Sequence, residues 1–283
     1  WCHGSPDERR PKVPLAMTPH PPYLPDSLGG WEDAELFYIV KHGIKFTGMP
    51  GWPSKVRADD AWPVVAFLRV MPEINADEYR RMVGRGTEGD AELEASVGVD
   101  ANRGVDANRG VDTRLLKRCV TCHGVDGNKQ LGGAVPLLSG QSEAYLHESL
   151  DTYASGARHS GIMETVSARL LESEREAIAK HYAAQKRIVA AEGSTLDAEL
   201  VERGHELATK GVTGRNKGAP SCVHCHEAGA DERYPRLAGQ PASYLRNQLK
   251  LFKERKRGGG TRHHLLHPVV DVLTDDDVEA VAA

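Results

Sequence analysis

Apolar residues recur along this chain in short blocks at helical spacing. Between 143 and 156, Tyr145, Leu146, Leu150 and Tyr153 fall on one face, the period of an amphipathic helix. Tyr244, Leu245, Leu249 and Phe252 repeat that face further on. Ile178 and Tyr182, four positions apart, predict another helix around 173–186. A further one starts at Thr274, where Asp277 stands three residues on as a capping-box partner. Residues 31–42 and 60–71 also read as helices, with Gly43 ending the first. Pro63 is tolerated there because the opening turn of a helix does not need its N–H. A short helix leads from Thr113 into a cysteine motif. The pattern predicts an all-α protein.

The blocks form repeats. Pro136-Leu137-Leu138-Ser139-Gly140-Gln141 matches Pro235-Arg236-Leu237-Ala238-Gly239-Gln240, and each is followed at the same offset by a Tyr-Leu pair. The chain divides into three small helical domains in tandem, over 1–83, 113–190 and 197–283. Residues 84–112 carry seven acidic and three basic side chains and an exact duplication, Gly98–Arg103 followed by Gly104–Arg109. That composition reads as an acidic flexible linker. The second and third domains are joined more closely, through Ala191-Glu192-Gly193-Ser194.

Composition narrows the class. The 283 residues are 40% hydrophobic with a net charge of -4, and the mean hydropathy is -0.47. No apolar run approaches the ~18 residues of a membrane span, and no strongly basic face suggests nucleic acid. The chain opens on Trp1-Cys2-His3, the tail of a motif, so it reads as a fragment. The missing upstream part is where an export signal and a possible membrane anchor would lie.

The five cysteines carry the chemistry. Cys119-Val120-Thr121-Cys122-His123 and Cys222-Val223-His224-Cys225-His226 are complete motifs, and Cys2-His3 is the remainder of a third. Cys-x-x-Cys-His is the attachment signature of c-type haem. Two cysteines at that spacing reach the two vinyl groups, and the histidine falls beneath the iron as a ligand. A zinc site would bring two such pairs together, but these stand about a hundred residues apart. A thioredoxin-like redox pair would need a βαβ context. Domains of ~80 residues rarely hold a sufficient core alone, so the porphyrin would be structural as well as functional.

With these motifs and the matching Pro-x-Leu loops, the second and third domains resemble the two-haem class I cytochromes c. The resemblance implies that the carbonyls of Pro136 and Pro235 accept from the proximal histidines and fix the rings. Pro22 and Leu24 offer the same Pro-x-Leu in the first domain, within a proline-rich stretch. There, Gly43-Ile44-Lys45-Phe46-Thr47-Gly48-Met49-Pro50 resembles the methionine-ligand loop of membrane-anchored c-type cytochromes. By this resemblance Met49 and Met163 are the sixth ligands, opposite His3 and His123. Iron would be bound by His3, Met49, His123, Met163 and His226, with three haem c groups in the full-length protein. Met17, Met71 and Met82 have no iron role in this reading.

The third domain contains no methionine. Alignment places Leu266 where Met163 stands, after a short insertion near Gly258–Thr261, with His263, His264 and His267 around it. Either one of these histidines binds the iron or Leu266 caps an open position. Pro268 is expected to hold His267 in an extended backbone. His20, His42, His147, His159, His181 and His205 read as solvated. Trp31, Trp52 and Trp62 read as core packing.

The leading expectation is a carrier, not an enzyme, that passes single electrons between redox partners such as an oxidase or a dehydrogenase. It would work in the periplasm or at a periplasm-facing membrane. The alternative is a haem enzyme or small-ligand sensor with an open third iron. Arg246, Lys250, Lys253, Arg255, Lys256, Arg257 and Arg262 cluster on and after one helix. They form either a solvated face or a surface that steers an acidic partner.

Overall fold

The computed structural model describes residues 2–83, 111–129, 135–188, 197–214, 218–227 and 229–283. The Gly98–Arg109 duplication, residues 84–110 of the expected linker and the Ala191–Ser194 connection lie outside them. Among the described residues the secondary structure is helical, with only isolated bridges pairing Ser5 with Glu8 and Val212 with Ala219. Two compact units form, Trp1–Glu92 with Ser160–Thr165, and Leu93–His159 with Val166–Ala283. The second unit holds both complete cysteine motifs. None of the described helices is long and apolar enough to cross a membrane.

In the first unit, α1 (Asp33–His42), α2 (Trp62–Val70) and α3 (Ala76–Val83) follow two single helical turns, Lys12–Leu15 and Leu24–Ser27. Pro63 sits in the first turn of α2, as expected. Gly43 ends α1 in a left-handed conformation, φ 66°, which only glycine adopts without strain. A Cβ there would lie 2.5 Å from the carbonyl oxygen of Met49, so the Gly43–Met49 loop folds tightly onto the helix end. Leu28, Leu36, Val65, Leu68 and Met71 form the core. Trp31 and Trp62 lie outside it, nearly half exposed. Trp62 stacks instead on Phe37, with ring centroids 4.3 Å apart.

The second unit builds the repeats with parallel logic. In the 113–190 segment, α4 (Thr113–His123), α5 (Glu143–Ala154), α6 (Met163–Ser167) and α7 (Glu172–Ala183) appear in order. Ser142 caps α5 by accepting from the Tyr145 N–H at 3.1 Å. Leu115, Leu116, Leu146, Ile178 and Tyr182 pack together between α4, α5 and α7. Of the apolar stripes read from the sequence, Leu146, Ile178 and Tyr182 are buried in this core, and Tyr145 and Leu150 pack against it half-buried.

In the 197–283 segment, α8 (Ala198–Lys210) precedes the motif turn α9 (Val223–His226), followed by α10 (Ala242–Lys253), α11 (His263–Asp271) and α12 (Asp275–Ala282). The expected capping box opens α12. Thr274 Oγ1 accepts from the Asp277 N–H at 3.2 Å, and Asp277 Oδ2 accepts from the Thr274 N–H at 2.8 Å. Helices α8 and α12 cross in close contact at Gly204. The cationic cluster around α10 is largely neutralised. Arg246, Lys250, Lys253, Arg255, Lys256 and Arg262 each lie within 4.0 Å of a carboxylate. The solvated, ion-paired face therefore describes it better than a steering surface.

Candidate haem sites

In all three segments the motif histidine meets a proline carbonyl. His3 Nδ1 lies 2.9 Å from the Pro22 oxygen, His123 Nδ1 3.1 Å from Pro136, and His226 Nδ1 2.7 Å from Pro235. Carbonyls only accept, so each Nδ1 carries the proton and each Nε2 keeps a lone pair for a metal. The Pro22 loop, a weak match in sequence, makes the same bond as the other two. Tyr23 secures it further by donating from its hydroxyl to the Ser5 carbonyl at 3.0 Å.

Burial reinforces the neutral state. It pushes His123 down to about 4 and lowers His226 as well, while the proline carbonyl pulls weakly the other way. Burial likewise pushes the Cys119 thiol up to about 12. Cys2, Cys119, Cys122, Cys222 and Cys225 are all free, half-buried thiols. Among the described residues no three His, Cys, Asp or Glu side chains are grouped to hold a metal ion. The four-ligand arrangement of a structural zinc site is thus not formed by these pairs.

A second feature fits a porphyrin carrying carboxylates. Arg158 is buried, with its guanidinium over the Tyr153 ring at 4.4 Å and its Nη1 donating to Ser149 Oγ at 3.1 Å. Its Nε has no partner among the described residues. Arg257, at the corresponding place in the next repeat, lies over Phe252 at 5.1 Å and donates to Gln248 Oε1 at 2.8 Å. Burial and the Arg158 charge lower its pKa. Among the described residues neither guanidinium pairs with a carboxylate. Buried unpaired cations are costly, and a haem propionate is an anion of the right kind to meet them. Sequence reasoning missed this pair; the signal was an arginine at the same offset after each Tyr-Leu helix.

Family models match the segments that carry these motifs. Residues 110–183 and 201–283 match the model described as cytochrome c. The chain belongs to the cytochrome c family. Residues 1–68 match the model described as cytochrome c oxidase, cbb3-type, subunit III. A thiosulfate dehydrogenase electron acceptor of Thiomonas intermedia is 34% identical over 58% of this chain and 75% of its own. Cytochrome c4 of Pseudomonas aeruginosa is 30% identical over 58% of this chain and 81% of its own. The solved cytochrome c4 of Acidithiobacillus ferrooxidans superposes with a TM-score of 0.52 at 28% identity, covering 59% of this chain and 96% of that one. This cytochrome therefore binds haem c covalently and transfers electrons, as the motifs and the resemblance indicated.

The cytochrome's methionines are less alike than its histidines. Met49 ends the Gly43 loop, its N–H donating to Thr47 Oγ1 at 3.1 Å and its carbonyl accepting from Ile44 N at 3.2 Å. The methyl of Met17 rests against Gly48, and Met71 is buried in the core of the first unit. Met163 opens α6, where its N–H donates to Ser160 Oγ at 3.2 Å. It belongs to the Ser160–Thr165 stretch grouped with the first unit, whereas Cys119, Cys122 and His123 belong to the second.

In the third segment the extended backbone expected before Pro268 is replaced by helix, since α11 runs through His267 and Pro268. Complete burial of Val270 in the last turn outweighs the local preference of a pre-proline residue. The burial pattern keeps Leu266 in register with Met163: Ile162 and Leu265 are both exposed, and Ser167 and Val270 are both fully buried. His264 is exposed, and His263 Nδ1 lies 2.6 Å from the Gly260 carbonyl. His267 is half-buried, with a buried Nε2 that lacks a partner and its ring 5.6 Å from that of His263. His181, expected to be solvated, is buried with Nε2 2.9 Å from the Val125 carbonyl.

Proposed function

We propose that this cytochrome is a three-domain, three-haem carrier, over 1–83, 113–190 and 197–283, that relays single electrons from a periplasmic dehydrogenase towards an oxidase. The observation that supports three sites is the threefold recurrence of one bond, the motif histidine to a proline carbonyl. Bound haem supplies an iron that alternates between ferric and ferrous states, one electron at a time. Cys2, Cys119, Cys122, Cys222 and Cys225 would anchor it, and His3, His123 and His226 would present Nε2 to it. Met49 and Met163 would supply sulfur ligands to the first two, a ligand type that favours the reduced state.

The donor class follows the Thiomonas relative, whose name makes it the acceptor of a thiosulfate dehydrogenase. The oxidase side follows the match of residues 1–68 to a cbb3-type oxidase subunit. A periplasm-facing location is part of this proposal.

Intact-mass spectrometry of full-length protein, matured during export, tests the haem count; three are expected. Two haems with an unmodified Cys2 would remove the first domain from the scheme. Stopped-flow mixing with a thiosulfate dehydrogenase then tests the donor class, and failure of every haem to be reduced would reject it. A second reading concerns the third segment alone: with Leu266 at the methionine position, either His267 or His264 turns towards the iron or the iron stays open to small ligands.

A further inference from the structure

Leu137 and Arg236 occupy corresponding places in the two repeats, each directly after the proline that meets the motif histidine. The Leu137 N–H donates to Gln240 Oε1 at 2.9 Å, and Gln240 Nε2 donates to the Leu137 carbonyl at 2.8 Å. The Arg236 N–H donates to Gln141 Oε1 at 2.9 Å, and Gln141 Nε2 donates to the Arg236 carbonyl at 2.8 Å. Each glutamine thus closes a two-bond ring on the backbone of the opposite repeat. Gln141, Gln240 and Leu137 are all buried, so water does not compete for these bonds.

The chemistry lies in which atoms share a peptide group. The Leu137 N–H and the Pro136 carbonyl are two ends of one resonant amide. A bond accepted at Gln240 therefore polarises the carbonyl that accepts the hydrogen bond from His123 Nδ1–H. Such chains strengthen each member by roughly 10–30% in a low-dielectric interior. A stronger acceptor at Nδ1 makes the imidazole a more basic ligand, which stabilises the ferric state. The same path runs from Gln141 through Arg236 N–H and the Pro235 carbonyl to His226.

We propose that Gln240 and Gln141 are positioning residues for the proximal histidine of the opposite repeat, each setting the reduction potential of a haem in a domain to which it does not belong. This rests on the reading that each repeat carries its own haem. The two potentials are then coupled through hydrogen bonds that cross between the repeats, independently of the distal ligands.

The test measures both midpoint potentials in the haem-loaded full chain, after intact mass has counted the haems. Gln240→Leu is expected to raise the potential of the His123 haem and move the His123 Nδ1–H proton resonance upfield, leaving the His226 haem unmoved. Gln141→Leu is expected to do the reverse. Should either leucine variant not fold, Gln240→Asn or Gln141→Asn, polar but one methylene shorter, is judged by the same crossed pattern. Equal movement of both haems, movement of the haem in the same repeat, or no movement of either overturns the proposal. Fewer than two haems in residues 113–283 would instead overturn the reading beneath it.

Discussion

Gly204 and Ala280 touch backbone to backbone. A Cβ on Gly204 would lie 2.0 Å from the Ala280 carbonyl oxygen and 2.7 Å from its carbon. Helices α8 and α12 can cross this closely only because residue 204 has no side chain. Gly204→Ala should therefore force the helices apart and destabilise the fold by about 1–3 kcal/mol, the usual cost of overpacking. The denaturant midpoint of the haem-loaded protein should fall, and an unchanged midpoint would show that the crossing has room to relax.

The Thr274–Asp277 box stops α12 from fraying at its start. Thr274→Ala removes one of the two reciprocal bonds and should cost ~1 kcal/mol, read as a lower thermal midpoint. Thr274→Ser, which keeps the hydroxyl, should restore most of it.

Arg158 places a buried cation among Tyr145, Tyr153 and Tyr244, which together raise its pKa against the opposing effect of burial. A cation beside a haem disfavours the ferric state. Arg158→Met should lower the midpoint potential of the haem in 113–190, measured by spectroelectrochemistry, and Arg158→Lys should lower it less. A potential unchanged in both variants would place the guanidinium away from the haem edge.

Leucine offers iron no lone pair. Leu266→Met should convert the third haem towards a methionine-ligated, higher-potential species and abolish any binding of carbon monoxide to its reduced form. Electron paramagnetic resonance of the oxidised parent protein separates a high-spin open iron from a low-spin bis-histidine one. His267→Ala should change that spectrum only in the second case. A third haem with a methionine-type spectrum before substitution would refute the Leu266 register.

What could be read from the chain depended on the distance over which each signal acts. The stripes of Leu146, Ile178 and Tyr182 and the Thr274–Asp277 box are local, so α5, α7 and α12 were visible in sequence. The two complete cysteine motifs declared their chemistry because the spacing is itself the geometry. The helix through His267 was not visible, because a proline argues locally for extension while the burial of Val270 is a tertiary term. Exposed Trp31 and Trp62 misled for the same reason: residue type speaks of transfer free energy, not of what is available to cover the ring. The Arg158–Arg257 pair and the crossed glutamines join residues far apart in the chain, and only the repeat offset hinted at them.

The loop between motif histidine and proline differs in length each time it occurs, joining His3 to Pro22, His123 to Pro136 and His226 to Pro235. Two anchored ends with a freely variable span amount to a chassis with an exchangeable panel. Insertions between the anchors would leave the histidine–carbonyl bond itself in place. What all three segments share is the histidine–carbonyl anchor and not the number of residues that closes it.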